Sequence, residues 1–160
     1  MIYFCPFCWF ESPNPFETCP RCRHDLEQLK RMDYWERLAL SLEHPEPETR
    51  YRAAHILGLL RERKALPGLM QAAEKSKDNF LLQEIAWALG EINVPASFSQ
   101  LSGFLTHPSF LVRKEAIQAL GKLGGKPAME ALSAACSDPV ESVREAAGEI
   151  LRTMKITDTE

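Results

Sequence analysis

Four cysteines near the N-terminus are the residues of this sequence best suited to chemistry. They form two Cys-x-x-Cys pairs, Cys5 with Cys8 and Cys19 with Cys22, separated by ten residues. Two residues between cysteines allow a tight turn to aim both sulfurs at one point, and two such turns supply four thiolates for a tetrahedral ion. The spacing predicts a metal site with Cys5, Cys8, Cys19 and Cys22 as ligands and structural Zn²⁺ as its ion.

The cysteine site can be interpreted in three ways. Cysteine fills all four positions and leaves no open position for a catalytic water, which favours a structural zinc ion. A rubredoxin-like redox iron and a dithiol redox pair are the other interpretations, and an all-cysteine tetrahedral site suits zinc and iron alike. His24, next to Cys22, is interpreted as a surface residue.

Folding of the cysteine segment depends on the metal. Residues 9–18 between the pairs are short and turn-rich, too few to bury a core. Metal binding must then supply the folding free energy, which in zinc-finger peptides is on the order of 10–16 kcal/mol.

The segment resembles the small bacterial zinc-ribbon module. The resemblance rests on the two Cys-Pro-x-Cys knuckles and on Leu26 shortly after the second, and it covers about residues 3–27. That module usually has a glycine after each knuckle, where this sequence has Trp9 and Arg23. The resemblance implies a zinc ribbon as the first domain, residues 1–27.

The rest of the chain is organised by an internal repeat. Gly58, Gly90, Gly121 and Arg152 stand at equivalent anchor positions, at intervals of 32, 31 and 31 residues, and a leucine precedes each. A period of this length marks a solenoid of two-helix units, because one unit cannot bury its apolar face until a neighbour stacks on it. Prolines that suit the first turn of a helix mark the second helix of each unit: Pro67, Pro95 and Pro127.

These patterns predict an all-α fold, a short right-handed α-solenoid preceded by the small zinc ribbon. Residues 44–160 form about three and a half repeats. Apolar residues at three- and four-residue steps predict one helix from Asp25 to Leu42, so residues 28–43 would link the ribbon to the solenoid and cap its first repeat. His44 and His107, each before a proline, are interpreted as turn residues.

The repeats resemble HEAT-like repeats of the phycobilisome lyase type. The third copy carries the resemblance best, over residues 112–124, and the fourth begins it again at Asp138. Such repeats occur in bilin lyase subunits, in a metal-dependent hydroxylase and in many scaffolds, so the resemblance implies the fold far more than a function. The hydroxylase relatives bind iron through His-Glu pairs; this sequence has no His-Glu dipeptide, so the resemblance argues against that activity.

One helix face carries aromatic residues among polar ones. Three residues before the anchors stand His55, Trp87, Gln118 and Glu149, a mostly polar set that predicts an exposed face. Tyr51 lies one turn earlier on the first of these helices. Tyr51, His55 and Trp87 are therefore the candidate binding site for a protein partner, since tryptophan and tyrosine are favoured anchors at interfaces. The alternative is that Trp87 packs on the zinc ribbon or the linker helix of its own chain.

Two further positions carry structural predictions. Arg50, Arg113 and Arg144 recur at one repeat offset, which favours ion pairing between repeats or capping. Cys136 stands where other copies have Ala73 and Leu105, and is interpreted as a small core residue.

Composition and charge narrow the classes of function. A net charge of −3 gives no electrostatic reason to expect nucleic acid. The sequence has no apolar run of the roughly 20 residues that cross a bilayer and no signal-peptide pattern, which predicts a cytoplasmic protein without membrane contact. No phosphate-binding loop, catalytic triad spacing or paired-carboxylate motif implies a small-molecule substrate or an enzyme.

The predicted function is a non-catalytic protein–protein interaction scaffold, adaptor or assembly factor. A bilin-lyase-like or other cofactor-handling subunit is the first alternative. Nucleic-acid binding through the ribbon and the basic residues of the linker is the second.

Overall fold

Helices account for most of the chain, and two short strands lie near its N-terminus. A computed structural model describes residues 2–157, with side chains described to residue 154. Strands β1 (Tyr3–Phe4) and β2 (Glu11–Ser12) pair antiparallel. The helices are α1 (Gln28–Arg31), α2 (Tyr34–Ser41), α3 (Pro47–Leu60), α4 (Leu66–Lys75), α5 (Asn79–Ile92), α6 (Phe98–Phe104), α7 (Phe110–Leu123), α8 (Gly125–Ala135) and α9 (Glu141–Thr157). Short 3₁₀ turns at Arg63–Ala65 and Pro95–Ser97 precede α4 and α6.

The helices from α2 onward form two layers. Helices α3, α5, α7 and α9 each pack against the next and are termed the long-helix layer. Helices α2, α4, α6 and α8, the short-helix layer, pack against them. This is the predicted α-solenoid of stacked helix pairs, and its core lies between the layers because each helix buries one apolar stripe.

The anchor glycines set the spacing within the long-helix layer. A Cβ atom on Gly90 would lie 2.8 Å from the Cα atom of Ala119 on α7. No side chain fits at that distance, so glycine permits the close approach of α5 and α7. The leucines that precede the first three anchors, Leu57, Leu89 and Leu120, are fully buried.

The linker contains two helices where the sequence predicted one. Met32 is extended, with φ −78° and ψ 139°, and separates α1 from α2. The side chain of Asp33 accepts from the backbone of Glu36, and Glu36 Oε2 accepts the backbone N–H of Asp33 at 2.7 Å. This capping box begins a new helix, so the predicted continuous helix from Asp25 to Leu42 is wrong. Apolar residues recur at helical spacing on both sides of Met32, so their pattern gave no sign that one helix ends and another begins there.

The two histidines that precede a proline lie in the turns between repeats, as their positions predicted. His44 Nδ1 accepts the N–H of Glu46 at 2.9 Å, and His107 Nδ1 accepts the N–H of Ser109 at 3.1 Å. In the second repeat Asp78 takes this place, because its Oδ1 accepts the N–H of Phe80 at 3.0 Å. The interpretation of both histidines as turn residues is confirmed.

Two of the recurring arginines tie neighbouring repeats together, and the third caps the turn before its own helix. Arg113 makes a two-pronged ion pair with Asp138, with Nε–Oδ2 and Nη2–Oδ1 distances of 2.7 and 2.9 Å. Arg50 Nη2 lies 3.3 Å from Asp78 Oδ2. Arg144 donates to the carbonyl of Asp138 at 2.8 Å. The prediction of ion pairing and capping is confirmed.

Cys136 is exposed, and its interpretation as a core residue is wrong. Helix α8 ends at Ala135, which leaves Cys136 as the C-cap. A residue at the C-cap of a helix can point to solvent, even where the equivalent positions of other repeats are apolar.

Candidate functional sites

The four N-terminal cysteines converge on one point. Their Sγ atoms all lie within 4.8 Å of one another. The Sγ atoms of Cys5 and Cys22 are 3.6 Å apart, and those of Cys8 and Cys19 are 3.7 Å apart. A tetrahedral ion with metal–sulfur bonds of about 2.3 Å places its sulfurs about 3.8 Å apart. These residues can therefore hold one metal ion, and among the described residues they form the one such group of three or more histidine, cysteine or acidic side chains.

Two similar knuckles position the sulfurs. In the first, Trp9 N–H donates to the Cys5 carbonyl at 2.7 Å; in the second, Arg23 N–H donates to the Cys19 carbonyl at 2.9 Å. Trp9 and Arg23 adopt the left-handed conformation, with φ of 59° and 64°. This is the conformation that glycine supplies most easily, so the glycine-type turn is kept without glycine.

In the absence of metal, the thiols of Cys5 and Cys19 differ in how readily they lose a proton. Burial, reinforced by hydrogen bonds from neighbouring thiols, raises the pKa of Cys5 to about 12. At Cys19 burial also acts to raise the pKa, but the backbone N–H groups of Cys22 and Arg21 and the neighbouring thiols prevail and lower it to about 6. Cys19, although buried, is thus the thiol that loses its proton most readily, and metal binding must displace the protons of the others.

His55 and Trp87 meet on the exposed face of the long-helix layer. Their rings stack with centroids 4.3 Å apart and planes 10° apart. The Trp87 ring also covers Gly58, where an added Cβ would lie 2.6 Å from its Cζ3 atom, and Lys122 Nζ lies 5.9 Å from its centroid. Trp87 is therefore packed between repeats of the solenoid, an arrangement that neither sequence interpretation specified.

Tyr51 is held one turn away from this stack. Its hydroxyl donates to Asp78 Oδ2 at 2.7 Å, and its ring lies 6.2 Å from that of Phe80. The hydrogen bond to Asp78, together with burial, raises the pKa of Tyr51. The structure thus brings together His55 and Trp87 and assigns Tyr51 a contact with the turn before α5.

Two glutamates join this face, and sequence reasoning did not select them. His55 Nδ1 lies 3.1 Å from Glu84 Oε2 on α5. On α7, Glu115 is half-buried, and burial followed by repulsion from Glu84 raises its pKa. Glu84 and Glu115 each stand six residues before an anchor glycine. That shared offset was the signal that could have revealed them.

The His55–Glu84 pair borders a shallow depression of about 200 Å³. Tyr51, Arg52 and Ile56 complete its lining. A carboxylate beside one ring nitrogen orients an imidazole and favours the proton on that nitrogen, which leaves the other nitrogen to accept one. The arrangement is chemically suited to hydrogen bonding and proton transfer with a ligand at this depression.

The repeated helix pairs define the class of protein. The family described as HEAT repeats matches residues 36–109 and 82–152. Together these matches cover most of the chain, which therefore belongs to the HEAT-repeat family. None of the described helices is long and apolar enough to cross a membrane.

A solved structure adds an enzyme to the comparison. Human deoxyhypusine hydroxylase, determined in complex with glycerol, is similar to this chain with a TM-score of 0.66 and 26% sequence identity. The similarity covers 76% of this chain and 43% of the hydroxylase, so the chain spans less than half the length of that protein. No protein of curated function matches the sequence.

The comparison overturns two predictions made from the sequence. A purely non-catalytic scaffold and the absence of an enzymatic role are contradicted, because the structural neighbour with the same repeats is an enzyme. Stacked helix pairs serve catalysis and scaffolding alike, and the side chains on their surface decide between the two. The missing His-Glu dipeptide bears on iron-dependent hydroxylation alone and does not decide whether the chain is an enzyme.

Proposed function

We propose that this chain acts in the enzymatic modification of a polypeptide side chain and that it binds its substrate on the exposed face of the long-helix layer. The observation that carries the proposal is the His55–Glu84 pair, stacked on Trp87 at the edge of the depression. The similarity to an enzyme built from the same repeats supports a catalytic role.

Each residue of this face has a role in the proposal. His55 exchanges a proton with the substrate, and Glu84 orients its imidazole. Trp87 holds the ring by stacking, and Ile56 offers the apolar part of the depression to the substrate. Because Trp87 is itself packed against Gly58, the histidine is supported by the body of the solenoid.

A cationic side chain is the substrate class that this face favours. Glu84 and Glu115 stand on adjacent helices, and Arg52, the cation that lines the depression, is paired with Glu48 at 3.9 Å, so the two carboxylates attract a positive group. The similar enzyme is named for deoxyhypusine, the residue on which it acts. A polypeptide carrying deoxyhypusine is accordingly the first substrate to test. This polypeptide is the protein partner that the sequence left unidentified.

For the cysteine quartet we propose Zn²⁺ in a structural role. The closed set of four sulfurs supports it, since structural zinc sites have four protein ligands and no open position. The left-handed turns at Trp9 and Arg23 support a zinc ribbon over residues 1–27. Assignment of the repeats to the phycobilisome lyase type within the HEAT-repeat family stays a prediction.

The test is a modification assay with the metal-loaded chain. A peptide carrying deoxyhypusine is incubated with the protein together with dissolved oxygen and a reductant, the co-reactants that insertion of an oxygen atom requires, and its mass is followed by mass spectrometry. We expect a change in peptide mass that falls at least tenfold in His55→Asn, which keeps a hydrogen-bonding side chain but exchanges no proton near neutral pH. The matched control is His24→Asn, because His24 is an exposed histidine outside this face.

Two results would contradict the proposal. One is an unmodified peptide that also fails to bind. The other is turnover that is unchanged in His55→Asn, which would place the chemistry elsewhere in the molecule.

A further inference from the structure

A cleft lies between the cysteine knuckles and the short-helix layer, apart from the His55 face. Its volume is about 300 Å³. Three of its lining residues are aromatic and two are acidic: Phe7, Trp9, Trp35, Glu36 and Glu43. We propose that this cleft binds an organic cation, specifically an alkylated ammonium group.

Aromatic walls attract such a group directly. The face of an indole or phenyl ring carries negative charge density, and a cation within about 6 Å of the ring centroid gains roughly 0.5–2 kcal/mol. The chain already shows this behaviour at Trp35, because Lys64 Nζ lies 6.0 Å from its ring centroid. Each of the three rings that line the cleft adds its own attraction for a bound cation, whereas a single surface tryptophan offers only one such contact.

The rings from the first knuckle are held in place. Phe7 stacks on His24, with centroids 4.4 Å apart and planes 14° apart. Trp9 meets His44 edge-on at 4.2 Å, and its own backbone is fixed in the left-handed turn. Rigid walls lose little conformational entropy when a ligand enters, which favours binding.

The charges around the cleft favour an alkylated ammonium over a primary one. Glu43 Oε1 pairs with Lys75 Nζ at 2.6 Å, and Glu36 Oε2 accepts the N–H of Asp33 at 2.7 Å. Lys75 and Lys64 balance these two carboxylates, so the aromatic rings and not a net charge supply the main attraction for a cation. One oxygen of each carboxylate is already engaged, and a quaternary ammonium, unlike a primary one, has no N–H donors that would be left unpaired.

Nitrogen NMR of the metal-loaded full chain tests the proposal. The chain has three tryptophans, so each indole N–H gives one assignable signal. Choline is titrated as the probe, and 3,3-dimethyl-1-butanol, its neutral isostere, is the matched ligand control. We expect choline to shift the Trp9 and Trp35 signals while the Trp87 signal stays in place, and we expect the neutral alcohol to shift none of them.

Variants assign the effect to the cleft. Trp9→Ala should weaken choline binding about tenfold through loss of one aromatic wall. Glu36→Gln should weaken it about threefold, and this variant preserves the fold because glutamine also completes a capping box. Tyr34→Ala is the control, since Tyr34 is an exposed aromatic on α2 outside the cleft.

A second titration separates the two sources of such a cation. A peptide with trimethyl-lysine that binds more tightly than choline identifies a protein side chain as the ligand, and the reverse order identifies a free small molecule. Either order supports the proposal. Equal shifts with the neutral alcohol, no shift across the choline titration, or unchanged affinity in both Trp9→Ala and Glu36→Gln would overturn it.

Discussion

At the scale of single residues, the Arg113–Asp138 pair shows how a side chain at a recurring repeat position connects one repeat to the next. Both side chains are more than 90% buried, and both prongs of the guanidinium are used. Arg113 Nη1 also donates to the carbonyls of His107 and Pro108, at 2.8 and 3.0 Å. One side chain therefore fixes the turn before α7 and the turn before α9 together.

Removal of the arginine should be costly because it leaves Asp138 buried without its partner. We expect Arg113→Ala to lower the free energy of unfolding by about 3–5 kcal/mol at neutral pH, as measured by urea denaturation. Arg52→Ala is the control: Arg52 and Glu48 form an exposed pair, and its loss should cost less than about 1 kcal/mol. Equal effects of the two variants would contradict a special role for the buried pair.

The same pair predicts how stability depends on pH. The hydrogen bonds from Arg113 lower the pKa of Asp138 in the folded chain. A carboxyl group whose folded-state pKa is depressed stabilises the fold above its unfolded pKa, about 3.9, and loses that contribution as the pH falls through the folded value. The stability difference between the wild type and Asp138→Asn should thus be largest near neutrality and shrink progressively below about pH 5.

At the scale of helices, the anchor glycines decide how closely the repeats stack. A methyl group at Gly90 would meet the backbone of α7 at 2.8 Å, and a backbone atom cannot move aside as a flexible side chain can. Helices α5 and α7 would have to separate, which loosens the leucines packed between them.

Two glycine substitutions should therefore have opposite signs. We expect Gly90→Ala to destabilise the chain by about 1–3 kcal/mol through overpacking. Gly148→Ala on α9 should instead stabilise it by up to about 1 kcal/mol, since nothing lies within 4 Å of the added methyl and alanine favours helix. Thermal and urea denaturation measure both, and a stabilising Gly90→Ala would disprove the close approach.

At the scale of the whole molecule, the chain combines two ways of folding. In the cysteine module of residues 2–27, the described apolar residues that are buried are Cys5 and Cys19 themselves. The helices share a continuous core of leucine, alanine and isoleucine side chains from α2 to α9. An ion held by the four cysteines would therefore supply the folding free energy of the module, whereas the solenoid depends on apolar burial.

This division predicts the effect of losing one ligand. Cys5→Ser should release the metal and unfold the N-terminal module, while far-ultraviolet circular dichroism retains most of the helical signal. Metal content by elemental analysis and the NMR signal of Trp9 report on the module. Cys136→Ser, which alters an exposed thiol outside the quartet, is the control. Loss of the helical signal would show that module and solenoid fold as one unit.

The sequence by itself determined what depends on spacing along the chain. Two Cys-x-x-Cys pairs can converge because each tight turn is local, and a 31-residue period with leucine and glycine anchors specifies stacked helix pairs since every copy must bury the same stripe. The convergence of the four cysteines, the solenoid, the histidine turns and the pairing arginines were all predictable for this reason. The capping box at Asp33 was also present in the sequence, but apolar periodicity carries no information on caps.

Only the tertiary structure decided which side chains from different repeats meet. His55 lies 29 residues before Glu84 and 32 before Trp87, and their contact exists because α3 and α5 stack in register. The cleft beside Trp35 likewise needs the first knuckle to dock on α2 and α4. Such contacts depend on the packing distance between helices. The glycines and buried leucines set that distance in the folded chain, and it cannot be read from the local sequence pattern.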